Sequence, residues 1–66
     1  MTIDEIKEKL LSGELLPGLY SGGSDKIVEV SKNSFVIRTL QENGWTRLDI
    51  YEYLDNNWVY SESYEK

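Results

Sequence analysis

Trp45, Arg47, Tyr51, Tyr53, Trp58 and Tyr60, with Arg38 upstream, are the residues of this chain best suited to recognition. Trp and Tyr rings are rigid and amphipathic, and they are enriched in contact surfaces. Interleaved with arginines, they could also stack on bases, as single-strand binders do on aromatic platforms. Such platforms lie in basic grooves, however, and two arginines on an acidic chain make a poor electrostatic funnel.

Acid–base chemistry would need two carboxylates held a few ångströms apart. Asp49 with Glu62, or Glu52 at the sheet end, are the available candidates, but Arg38 offers Asp49 a simple partner. Gly22-Gly23-Ser24 has the composition of a phosphate cradle, yet a strand rather than a helix is expected to follow Lys26. Asp55-Asn56-Asn57 lacks the glycine and the terminal bidentate acid of a calcium loop. The chain has neither cysteine nor histidine. Disulfides, thiolate metal sites and the commonest general base are thereby excluded. The expectation is a protein that is not an enzyme and that takes no metal or cofactor.

Twelve acids against seven bases give a net charge of −5 in 66 residues. The excess is spread along the chain, so neither duplex nucleic acid nor an anionic membrane is an expected partner. Asp49, Glu52, Asp55, Glu62 and Glu65 could form an acidic ridge that imitates a phosphate backbone. Small acidic inhibitors of phage or plasmid type work in this way as a class, an analogy of charge and size and not of motif. No apolar run approaches the roughly 18 residues of a membrane span. Asp4, Glu5 and Glu8 stand where a signal peptide would be basic. Together with the missing cysteines, this points to a cytoplasmic setting.

These residues must be positioned by a single small domain, 1–66. Thr2-Ile3-Asp4-Glu5 reads as a capping box. Ile3, Ile6 and Leu10 follow at helical spacing, and Gly13 can close the helix in the left-handed conformation. A helix is predicted over 3–12. Residues 13–25 read as a connector, with Pro17-Gly18 as a type II turn and Ser21–Ser24 as a flexible loop. Leu19-Tyr20 could add a short strand. From 26 to 64 the pattern has period two. The class is therefore α+β: one helix on a four-stranded antiparallel meander, five-stranded if Leu19-Tyr20 joins, with an SH3-like curl compatible with the short strands.

Turn chemistry sets an expected register. Lys32-Asn33 brings Val30 opposite Phe35 and Val28 opposite Ile37. Asn43-Gly44 as a two-residue type I′ turn brings Arg38 opposite Asp49 and Ile37 opposite Ile50. Side chains alternate across a strand. Val28, Val30, Phe35, Ile37, Leu48, Ile50 and Leu54 then form the bed for the helix. The other face carries Ile27, Glu29, Val36, Arg38, Leu40, Trp45, Arg47, Asp49, Tyr51 and Tyr53. An even turn at Asn56-Asn57, which suits type I′, adds Trp58, Tyr60 and Tyr64 to that second face. A three-residue turn would send them to the core. On the even-turn register the expected function is a small non-enzymatic protein-interaction module, an inhibitor or a homodimer among its forms, that binds through an aromatic sheet face. The alternatives are a small-ligand or single-strand binder, and an acidic nucleic-acid mimic. A second mini-core of packed rings would also explain the aromatic residues.

Overall fold

The computed structural model describes all of residues 1–66. It has one helix, α1 (Ile3–Ser12), and five strands: β1 (Gly18–Gly23), β2 (Lys26–Val30), β3 (Ser34–Leu40), β4 (Thr46–Leu54) and β5 (Asn57–Glu65). The strands form one antiparallel sheet in the order β1-β2-β3-β4-β5. The class is α+β, as expected, and the strand in the connector is real. β1 and β5 do not pair, so the sheet stays open and does not curl into a barrel.

Local chemistry accounts for α1. The Thr2 hydroxyl accepts from the Glu5 amide at 3.2 Å. Asp4 and Glu5 lie at the positive end of the helix dipole. Gly13 takes the left-handed conformation at φ 80. Its amide and that of Glu14 donate to the Leu10 and Lys9 carbonyls, which closes a Schellman motif. Ile6 and Leu10 are the buried stripe.

The connector is more ordered than its composition implies. Gly18 does not sit at the centre of a type II turn. Its φ of 156 is far from the roughly +80 such a turn needs, and it opens β1 opposite Val30. Ser21–Gly23 continue that strand. Gly22 lies under the helix, where a Cβ would stand 2.5 Å from Ile3 Cδ1. A side chain there would force Ile3 to shift, so this glycine serves packing and not flexibility. Tyr20 joins the core, and its hydroxyl donates to the Leu16 carbonyl at 2.5 Å.

The β2–β3 hairpin has the expected register, with Val30 opposite Phe35 and Val28 opposite Ile37. The β3–β4 hairpin differs by one residue. Leu40 pairs with Thr46, so Arg38 faces Leu48, Ile37 faces Asp49 and Phe35 faces Tyr51. The loop explains the shift. The Gly44 amide donates to the Gln41 carbonyl at 3.1 Å, and the Gln41 amide to the Trp45 carbonyl at 2.9 Å. Gly44 has φ 87, while Asn43 keeps a negative φ. This is a type I turn closed by a glycine bulge, not a type I′ turn. The Asn43 side chain stabilises it by accepting from the Trp45 amide at 2.9 Å. One extra residue in the loop inverts the side of every residue of β4.

The expected bed for the helix is corrected accordingly. Val28, Val30, Phe35 and Ile37 are buried beneath Ile6 and Leu10. Leu48, Ile50 and Leu54 lie on the opposite face, and Tyr51 packs against the core in their place. The reason is reach. The helix makes its closest backbone approach to β1, at the far edge from β4. Aliphatic side chains on β4 would be too short to meet it. The rings of Tyr51 and Trp58 are long enough to close the core's open side.

Candidate functional site

The last hairpin turns at Asp55-Asn56, both with positive φ, and brings Tyr53 opposite Trp58 and Tyr51 opposite Tyr60. The turn is even, as expected, but one residue earlier than Asn56-Asn57. Tyr51, Tyr53, Trp58 and Tyr60 are therefore brought together. The side of the sheet is the correction: they lie on the helix side, beside α1, and not on the face away from it. Tyr64 is separated from them by the register shift that follows Tyr60, and it pairs with Leu48 on the opposite face.

The rings form a continuous ladder. Tyr60 meets Tyr51 edge-on at 5.4 Å. Tyr51 stacks on Phe35 at 4.6 Å. Trp58 meets Phe35 edge-on at 4.9 Å and Tyr53 at 5.0 Å. Offset stacks and edge-on contacts at these distances favour the ring quadrupoles. Phe35 is buried, Tyr51 and Trp58 are half-buried, and Tyr53 and Tyr60 are exposed. The ladder thus runs from core to solvent: its centre is structural and its ends are free surface.

Between this ladder and the helix lies an open groove of about 180 Å³. Leu10 and Leu11 form one wall, Phe35, Tyr51 and Trp58 the other, and Lys7 is the single charged residue of the lining. Leu11 is 75% exposed, although it faces this apolar wall. The helical spacing that marks Ile3, Ile6 and Leu10 as core also places Leu11 one step off the buried stripe. That offset, with the aromatic strands alongside, is the signal that could have located the groove.

The remaining site residues are dispersed. Arg47 lies on the helix side and donates from Nε to Asp49 Oδ1 at 3.1 Å. That hydrogen bond, and then the negative charge of Asp49, raises the already high pKa of the guanidinium. Arg38 is on the opposite face and pairs with Glu29, not with Asp49. Trp45 sits in the β3–β4 loop, 53% exposed, and takes part in none of the ring contacts. Asp49 and Glu62 project to opposite faces, since Asp49 pairs with Ser63 and Ile50 with Glu62. The acids expected to form a ridge are likewise split: Asp49 and Glu65 on the helix side, Glu52 and Glu62 on the other, Asp55 in a turn. No helix is long and apolar enough to cross a membrane.

No protein-family model, curated protein or solved structure matches this chain.

Proposed function

We propose that the chain is a non-enzymatic protein-interaction module that receives an apolar peptide segment in the groove between α1 and the β4–β5 hairpin. The observation that carries this reading is Leu11. A leucine left three-quarters exposed opposite Tyr51 and Trp58 gives a partner's side chain two apolar walls to enter between. Buried anchors in such pockets dominate interface energetics. Tyr53 and Tyr60 extend the apolar surface at either end of the ladder, and Lys7 supplies a charge at the rim. A stacking platform for bases has less support. The ring faces of Tyr51 and Phe35 are spent on each other, and Arg38 is on the far side of the sheet.

Selection of peptides from a random display library on the whole chain tests the reading. Selected peptides are expected to share an aromatic or aliphatic anchor. Leu11→Asp should weaken them by about tenfold or more, a typical anchor effect, while leaving the fold intact. Their affinity should change little with salt, because the contact is apolar. Peptides that bind Leu11→Asp as well as the unaltered chain would overturn the proposal. Acidity-driven binding that collapses with salt would point instead to the nucleic-acid mimic.

A further inference from the structure

The face of the sheet away from α1 is covered by nothing in the chain, yet an aliphatic strip runs across it. Val36, Leu48 and Ile50 occupy its centre, with Ile27 on one flank and Val59 and Leu54 on the other. Leu48 is only 7% exposed, screened by neighbouring side chains of its own sheet. Ile27, Val59 and Leu54 are 46%, 45% and 52% exposed.

We propose that this face is the contact between two copies of the chain, packed sheet against sheet across a two-fold axis. Three observations select a second copy as the occupant. The first is charge. Glu29, Glu52 and Glu62 against Arg38 and Lys66 leave this face with a net charge of −1, out of −5 for the chain. Its most central pair, Glu29 and Arg38, is already matched within one copy. Two such faces repel only weakly, because most of the chain's excess acid lies off this face, on the helix side and in the turns. The second is area. The long extents of the molecule, 36 and 23 Å, cap the face at roughly 800 Å², room for one partner's share of a standard interface. The third is size. Only seven residues of the chain are buried, and it has no cysteine to staple them. Without disulfides, association is one of the devices by which a chain this small adds buried surface. Inner faces of two sheets pack about 10 Å apart with interdigitated aliphatic side chains, the kind of residue this face presents. This contact is separate from the groove beside α1, so both could be occupied at once.

Sedimentation of the intact chain over about three decades of concentration, up to the millimolar range, tests the proposal. The mass should rise to twice 7.7 kDa. Ile27→Lys and Val59→Lys, both at positions with room for a lysine stem, should each return it to the monomer with an unchanged circular dichroism spectrum. Leu11→Asp should leave the dimer in place. A chain that stays at 7.7 kDa throughout overturns the proposal without any variant. A dimer that survives both lysines, or that Leu11→Asp dissolves, overturns it as well and moves the contact elsewhere.

Discussion

Phe35 and Tyr51 stand directly opposite on neighbouring strands, and their rings are stacked with centroids 4.6 Å apart and planes 6° from parallel. The pair joins the part of the sheet beneath the helix to the part that is not. Phe35 belongs to the buried cluster, and Tyr51 packs against it from the open side. Tyr51 is therefore a structural residue as well as a wall of the groove. Tyr51→Ala should cost about 2–3 kcal/mol, combining lost ring burial with the lost aromatic pair. That is most of the roughly 3–5 kcal/mol expected for a core of this size. Urea unfolding should show a midpoint lowered by about half or more, with an unchanged slope. Tyr51→Phe should lie within about 0.5 kcal/mol of the unaltered chain, since the ring contacts remain and the hydroxyl has no protein partner among the hydrogen bonds of the structure.

The two loops that bracket β4 should respond differently to glycine chemistry. Gly44 holds a positive φ that a Cβ disfavours, although the space around it is open. Gly44→Ala should therefore destabilise by about 1 kcal/mol, through backbone strain alone. Asn56 holds φ 65 at the second position of a type I′ turn, where glycine is preferred. Asn56→Gly should be neutral or stabilise by up to about 0.5 kcal/mol. Chemical denaturation of the two variants measures both. A stabilised Gly44→Ala would mean that the loop had rearranged to another turn.

The contrast between these loops also shows where sequence reading succeeds and stops. Capping at Thr2 and Gly13, and the spacing of Ile3, Ile6 and Leu10, are local signals, and they define α1 to the residue. Lys32-Asn33 fixes the β2–β3 hairpin for the same reason. Asn43-Gly44 is compatible with two hairpin turns that differ by one residue of loop. The decision between them is made at a distance, by whether rings or aliphatic side chains on β4 reach the core. Local pattern cannot weigh that. The grouping of Tyr51, Tyr53, Trp58 and Tyr60 was legible because it depends only on strand parity within the last hairpin. The side they occupy was not. Gly22 was unreadable for a related reason: its neighbour is Ile3, brought over it by the fold of the whole chain.

That contact allows a double-mutant test of how the helix is seated. A methyl group at position 22 would stand 2.5 Å from Ile3 Cδ1 and 2.8 Å from Cγ1. Gly22→Ala should cost about 1–2 kcal/mol, in the range of overpacking a tight contact. Ile3→Ala removes the obstructing atoms at its own smaller cost, because Ile3 is only partly buried. In the Ile3→Ala background the further change Gly22→Ala should then be close to neutral. A coupling energy of about 1 kcal/mol or more from the cycle would confirm direct contact, and strict additivity would contradict it.

The two tryptophans report on different parts of the molecule, which makes the groove observable without labels. Trp58 is half-buried, edge-on to both Phe35 and Tyr53, and lines the groove. Trp45 is 53% exposed in the loop between β3 and β4 and joins none of these contacts. Trp45→Phe leaves Trp58 as the single indole, and its emission should be blue-shifted and poorly quenched by acrylamide. Trp58→Phe leaves Trp45, with red, easily quenched emission. An apolar peptide entering the groove displaces water from the Trp58 ring and should shift the first variant's spectrum further to the blue. It should leave the spectrum of the second unchanged even if binding persists. A peptide-induced shift confined to Trp45 would place the binding surface at the β3–β4 loop and remove the groove from consideration.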